Sequence, residues 1–204
     1  MIDIPKADVP EGRIGNYAVE RFEVEEVGSA MFNAFLAMHG NSRFIAPGQY
    51  TRLVRYRDCG PKIVVMSDTP AEIEEHQEAF EHARGRILIH GLGLGVILNA
   101  CLLKPEVERA TVIEIQQEVI DLVAPHYKRR FGKRLKVVHH DALTYLPPKG
   151  ERYNMIWSDI WDNICKDNLP DMDKLRKRYS NNSDWRGSWC EEMVRKRCRY
   201  NYAA

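Results

Sequence analysis

The sequence has almost no net charge: 30 Lys and Arg stand against 29 Asp and Glu in 204 residues, a formal +1. No global field therefore advertises nucleic acid or an anionic membrane as partner, and binding of either kind would have to come from a local patch. Long hydrophobic runs are missing too. The longest apolar stretch, Gly91 to Leu103, is interrupted by three glycines and Asn99 and falls short of the ~20 residues that span a bilayer. Asp3 and Asp8 stand where an export leader would carry a basic and then an apolar stretch, so no export is expected. Cys59, Cys101, Cys165, Cys190 and Cys198 form no C-x-x-C pair and no cluster with histidine. They read as reduced thiols of a cytoplasmic protein. What is present, 44% hydrophobic and 29% charged residues, suits a chain with a real core and about one domain.

The pattern divides the chain into three parts. In 1–83, an acidic stretch precedes VGSAMFNAFLAMHG, whose Met31, Phe35 and Met38 share a helical face that should end at Gly40. QYTRLVRYR and KIVVMS, split by Asp58-Cys59-Gly60-Pro61, predict a β-hairpin. Pro70 then opens one helix, AEIEEHQEAFEHARG, with Ile73 and Phe80 inward and a solvated glutamate face. In 84–164, RILIHG, ATVIEI, LKVVHH and YNMIWSD read as strands, with helices between the first three. That alternation predicts parallel βαβ units. Pro125 should kink or end the second of those helices. In 165–204 no strand signal remains, and two helices are expected around Leu175 and Tyr179 and over SWCEEMVRKRCRYNY.

The strongest chemical signal is RILIHGLGLG. A strand runs into glycine-rich backbone and then a helix, so unpaired amides and the positive helix end face whatever lies over the sheet edge. Gly91, Gly93 and Gly95 suit a ligand loop, with a tight strand-to-helix turn as the alternative reading. Glu114 ends the second strand nineteen positions after Gly95 (114 − 95), where a doubly wound sheet sets a carboxylate against a ribose and repels a 2′-phosphate. A solvent-facing strand-end glutamate is the other reading. The dinucleotide fingerprint requires glycine at position 96, and Val96 stands there.

The G-x-G-x-G form resembles motif I of the class I S-adenosylmethionine-dependent methyltransferases, whose loop passes the methionine end of the cofactor. The likeness runs from about Arg84 to Asp162. VIEIQQEVIDL resembles the second motif, implying Glu114 as ribose ligand beside Ile115. VVHHDALTYL resembles the third, with Asp141 accepting from the adenine amino group and Ala142 offering backbone. YNMIWSDIWD resembles the fourth. Within the superfamily the chain is most similar to the spermidine synthases. That likeness implies His90 at the loop entry, Asp159 as the base that takes a proton from the attacking amine, and Asp162 as a second catalytic carboxylate. The departures are specific: Leu94 replaces the synthases' aspartate, Gln116 replaces the aspartate of E-x-D, and Asn163 replaces the proline after Asp162. The DNA-methylating motifs, D/N-P-P-Y/F and Pro-Cys, are absent.

Four features have more ordinary readings. His139 and His140 should point to opposite faces of a strand, so no metal site is expected. Lys128-Arg129-Arg130 with Lys133-Arg134, and Arg195-Lys196-Arg197 with Arg199, read as solvated helix ends, leaving nucleic acid as an unexpected partner. Trp161, Trp185 and Trp189 serve either as core anchors or as ligand contacts. Asp159 and Asp162 would alternatively cap the following segment.

The expected fold is α/β: a Rossmann-like, mostly parallel sheet shortened after the fourth strand, with an N-terminal β-hairpin and a helical C-terminus. Only forty residues (204 − 164) follow the fourth-strand motif, too few for the three further strands the family normally has. The function expected from the resemblance is transfer of a group from S-adenosylmethionine, or its decarboxylated form, to a small molecule, without a membrane partner and with self-association left open. The alternative is a non-catalytic module that kept only the cofactor half.

Overall fold

The computed structural model describes residues 4–38 and 44–201. Its centre is a five-stranded parallel sheet made of β5 (Gly85–His90), β6 (Val107–Glu114), β7 (Leu135–His139), β8 (Tyr153–Ser158) and β9 (Ser183–Ser188), in the order β7-β6-β5-β8-β9. The chain runs outward from β5 to β7, then returns to lay β8 on the other side of β5. That reversal opens a crevice at the carboxyl ends of β5 and β8, where open α/β sheets bind ligands. The topology is Rossmann-like.

Both faces of the sheet are covered, so its strands are apolar on both sides. Ile87 and Ile89 face a core shared with α4 (Val96–Leu103) and α5 (Gln117–Phe131). Leu88 faces the opposite cluster, with Leu175 of α6 (Leu169–Arg178) and Tyr179. Pro125 does not end α5, which continues for six residues beyond it to Phe131.

The N-terminal part is larger than a hairpin. β1 (Gly12–Ile14), β2 (Tyr17–Val24), β3 (Gly48–Arg55) and β4 (Ile63–Ser67) form an antiparallel sheet in that order. The expected hairpin is its β3–β4 half. The other half lay inside the stretch read as merely acidic, where YAVERFEV in fact turns Tyr17, Ala18 and Val19 into the protein and leaves Arg21 and Glu23 outside. Tyr17, Val19 and Leu53 join the same core cluster as Ile87 and Ile89, which fixes this sheet against the parallel one.

Three more expectations are corrected. The helix after Pro70 is two helices, α2 (Pro70–Glu74) and α3 (Gln77–His82), because the chain breaks at Glu75–His76 and buries His76 to 1% exposure. The C-terminal part is not purely helical: DWRGSW contributes β9, an edge strand without alternating burial, before α7 (Glu191–Asn201). The sheet therefore has one strand more than expected. α1 (Glu26–Met38) is helical as expected, with Met31, Phe35 and Met38 exposed; Gly40 lies outside the described residues. No helix among the described residues is long and apolar enough to cross a membrane.

Candidate functional site

A cavity of about 450 Å³ occupies the crevice at the strand ends. Its floor comes from the loops after β5, β6, β7 and β8. Its other wall comes from the antiparallel sheet, through Tyr17, Leu53, Arg55, Val65 and Met66.

The glycine loop is held by close packing as much as by turn geometry. Gly91 has φ 93°, and a Cβ there would lie 2.0 Å from the Asp159 carbonyl oxygen, so only glycine lets the loops after β5 and β8 touch. Gly95 has φ 72° and sits against the Tyr127 ring, whose hydroxyl donates to the Leu94 carbonyl at 2.9 Å. Gly91 and Gly93 line the cavity; Gly95 packs behind it. Met66 of β4 lies over the loop and accepts from the Leu94 amide through its sulfur at 3.4 Å.

Glu114 is 7% exposed and lines the cavity. It also braces the loops, since its carboxylate accepts from the Leu92 and Gln116 amides, each at 2.8 Å. Asp141 accepts from the Leu143 amide at 2.8 Å, shaping the turn that presents Ala142 and Leu143 to the cavity. Arg178 fastens this turn from α6 by donating to the carbonyls of Ala142 at 3.0 Å and Tyr145 at 3.3 Å. Nothing in the sequence marks Arg178, 36 residues away from Ala142 (178 − 142). Ile115, 55% exposed, adds an apolar surface beside it.

His90 faces elsewhere. Its ring is fully buried between the Ser158 hydroxyl at 2.9 Å and the Tyr179 hydroxyl at 3.2 Å, and burial, with the nearby Arg178 charge, pushes its pKa down to about 3. It is a neutral core histidine that joins β5 to β8 and α6. Its backbone serves the site by accepting from the Asp159 amide at 2.9 Å.

Asp159 follows β8 and lines the cavity with a side chain 22% exposed. Its pKa is raised to about 8, first by desolvation and then by the negative charges of Glu72, Glu75 and Glu114. Part of the glutamate face expected to be solvated is thus turned inward. Glu72 accepts from the Ser67 amide and hydroxyl at 2.7 and 2.8 Å, and Glu75 accepts from Trp189 Nε1 at 2.9 Å. His76 was not singled out by the sequence. Its Nε2 is 3.8 Å from Asp159 Oδ2, and burial lowers its pKa to about 4. At neutral pH the pair therefore holds one proton, on Asp159, beside a neutral imidazole. His76 Nδ1 is buried without a hydrogen-bond partner.

Asp162 stands apart from this pair in role. Its carboxylate meets Arg55 Nη2 at 3.0 Å, joining the loop after β8 to β3. Of the tryptophans, Trp161 and Trp189 line the cavity, while Trp185 stacks on Trp157 with centroids 6.3 Å apart.

The remaining features fall outside the cavity. His139 Nε2 approaches the Ile115 carbonyl and His140 Nδ1 the Asp141 carbonyl, and no group of three metal-ligating side chains occurs among the described residues. In the basic clusters, Arg130 pairs with Asp8 at 2.8 Å, Arg134 donates to the Glu108 carbonyl at 3.3 Å, and Arg195 pairs with Glu191 and Asp173. These cations serve packing and helix ends.

No protein-family model matches the chain. Among solved structures it is similar to a dimethyladenosine transferase from Plasmodium falciparum, with 22% identity, 53% of this chain and 37% of that one covered, and a TM-score of 0.40. It is also similar to an S-adenosylmethionine-dependent methyltransferase from Clostridium acetobutylicum, with 19% identity, 54% and 43% covered, and a TM-score of 0.39. A third is the CcbJ methyltransferase from Streptomyces caelestis, with 16% identity, 53% and 45% covered, and a TM-score of 0.41. The chain spans less than half the length of each.

Proposed function

We propose that the cavity binds S-adenosylmethionine and that the protein transfers a group from it to a small-molecule acceptor, with Asp159 as general base. The observation that carries this reading is convergence. Glu114, Asp141 and Asp159 come from the ends of three different strands and ring one cavity beside the Gly91–Gly93 backbone.

The residues present fit the group. The turn of Asp141, Ala142 and Leu143 with Ile115 offers a carboxylate, backbone and apolar surface suited to adenine. Glu114 offers the acceptor a ribose diol requires. Gly91 and Gly93 present bare backbone, without side chains, to the cavity where a thin aliphatic chain would pass. An acidic lining also suits a ligand bearing positive charge. When bound, the sulfonium supplies an electrophilic carbon next to sulfur, so the protein's part is alignment and proton removal.

Asp159 is suited to that part. A carboxyl group with a pKa of about 8 becomes a stronger base than an ordinary carboxylate once it has lost the proton it holds at neutral pH, a loss that a cationic ligand beside it favours. His76 and Trp189 wall it in, and the antiparallel sheet covers the cavity opposite it. Asp162, held by Arg55, is assigned no proton transfer.

The test has two parts. Titration calorimetry with S-adenosylmethionine, S-adenosylhomocysteine, decarboxylated S-adenosylmethionine and NAD should show binding to the adenosyl sulfur compounds; binding to NAD alone would refute the reading. Asp159→Asn should keep that binding and lose turnover with any acceptor found. Turnover persisting in the variant would remove Asp159 as the base and leave the binding assignment in place.

A further inference from the structure

Arg55 is the only permanently cationic side chain on the cavity wall among the described residues, where it faces Glu72, Glu114, Asp141, Asp159 and Asp162. It is also held in place. Its Nη1 donates to the hydroxyl of Tyr17, itself only 5% exposed, at 3.5 Å, and its Nη2 donates to Asp162 Oδ2 at 3.0 Å. A guanidinium has five N–H donors, so a single contact with one Asp162 oxygen leaves further donors free. Asp162 Oδ1 likewise makes no hydrogen bond among the described residues. A directed donor and a directed acceptor thus stand side by side at one end of the cavity.

Their place in the fold says which part of a ligand they meet. Asp141 follows β7, Glu114 ends β6, Gly91 to Gly93 follow β5 and Asp162 lies in the loop after β8. Adjacent strands lie about 4.8 Å apart, so the row spans about 14 Å. A ligand with its base near Asp141 and its ribose at Glu114 runs past the glycine loop, and its far end arrives at Arg55 and Asp162.

We propose that Arg55 and Asp162 together read an α-amino-acid group, Arg55 taking the carboxylate and Asp162 the ammonium, and that this group is the methionine end of the cofactor. The inference rests on the cofactor reading above and deepens it. It makes the carboxylated donor the preferred one, and so assigns methyl transfer over aminopropyl transfer. An amino-acid acceptor presents the same chemistry, which is why the test contains no acceptor.

The full chain is titrated with S-adenosylhomocysteine, S-adenosylmethionine, decarboxylated S-adenosylmethionine and 5′-methylthioadenosine. Charge-assisted hydrogen bonds of this kind separate ligands by about ten- to a hundred-fold. The wild type should therefore bind S-adenosylmethionine at least about tenfold more tightly than its decarboxylated form. Arg55→Gln should lose that preference and leave 5′-methylthioadenosine within about twofold, while Arg55→Lys keeps part of it. Equal wild-type affinity for carboxylated and decarboxylated ligands overturns the proposal whether or not a variant folds. So does an Arg55→Gln variant that weakens all four ligands alike, the mark of a clip between the two sheets. A wild type that binds none of the four refutes the cofactor reading and this assignment with it.

Discussion

The carboxyl proposed as the base should destabilise the protein that holds it. Asp159 titrates at about 8 in the folded chain against an ordinary 3.8, and in the unfolded chain it returns to the ordinary value. The folded state therefore binds the extra proton between those limits, and stability falls as pH rises through that window. It is fully retained below about pH 4 and the loss is complete above about pH 8. The rise from 3.8 to about 8, at 1.36 kcal/mol per unit, gives about 6 kcal/mol when fully developed, and the part accumulated by pH 7 is about 4 kcal/mol. Asp159→Asn keeps the shape, cannot ionise and leaves Glu72, Glu75 and Glu114 facing a neutral group. The variant should melt at higher temperature than the wild type by roughly 8–16 °C at pH 7, with the gap widening toward pH 8 and closing toward pH 4. Differential scanning calorimetry from pH 4 to 9 reads this directly. A gap that is absent at pH 8, or the same size at every pH, would show that Asp159 is not desolvated among like charges.

The acid side has the opposite sign. His76 and His90 have pKa values lowered to about 4 and about 3 by burial, so the unfolded chain takes up protons first and stability falls as pH drops below about 6.5. In the wild type the proton held by folded Asp159 offsets one of these two, so a slope approaching two protons per pH unit in the unfolding free energy belongs to Asp159→Asn; a flat profile of that variant from pH 7 to 5 would contradict their burial as neutral rings. Gly91→Ala sets a Cβ on the Asp159 carbonyl oxygen at a positive φ, and should lower stability by about 2–4 kcal/mol in chemical denaturation, beyond the 1–3 kcal/mol of backbone strain alone. Arg178→Met removes the donors to the Ala142 and Tyr145 carbonyls. It should weaken adenosyl ligands several-fold while Asp159-dependent pH effects persist, as calorimetry would show. Binding a sulfonium beside Asp159 lowers its pKa, so S-adenosylmethionine should release up to about three-quarters of a proton per site near pH 7.5 and S-adenosylhomocysteine less, measured from the buffer dependence of the binding enthalpy.

What the sequence revealed and what it concealed follow from how each feature is encoded. The βαβ order was legible because each strand from β5 to β8 contains a short apolar stretch opened by a glycine or proline within three residues, and the loops carrying Gly91, Glu114, Asp141 and Asp159 sit where those strands stop. β9 was not legible: SDWRGS has no alternation, and its place comes from Trp185 stacking on Trp157 and from backbone pairing with β8. β2 was hidden by Glu20 and Glu23, which lie on its more exposed half. Tertiary packing decided both strands over local pattern. His90 shows the reverse error, since a histidine entering a ligand loop looks functional until Ser158 and Tyr179 are found to close both ring nitrogens.

The electrostatic character of the site could not be read locally at all. Glu72, Glu75, Glu114 and Asp159 come from a helix, a helix end and two strand ends, spread over 87 positions (159 − 72). In the sequence they are far apart, and the whole chain sums to +1. The break between α2 and α3 brings the first two against the loop after β8, and the strand order brings Glu114 there from the other side. Burial in the cavity wall lifts Asp159 to about 8 first by desolvation, and the like charges that convergence concentrates there raise it further. Such an arrangement opposes folding, so it persists only where the surrounding packing over-determines it. Here the overdetermination is visible: the Asp159 backbone is pinned by its amide to His90 and by the bare face of Gly91, while Glu72, Glu75 and Glu114 are each tied to donors from neighbouring loops. Relieving any one of those ties should let a carboxylate swing outward and bring the Asp159 pKa down. Ser67→Ala, which removes the hydroxyl donor to one oxygen of Glu72, is the mildest such change, and a pH-melting profile unaltered by it would limit the charge coupling to Glu75 and Glu114.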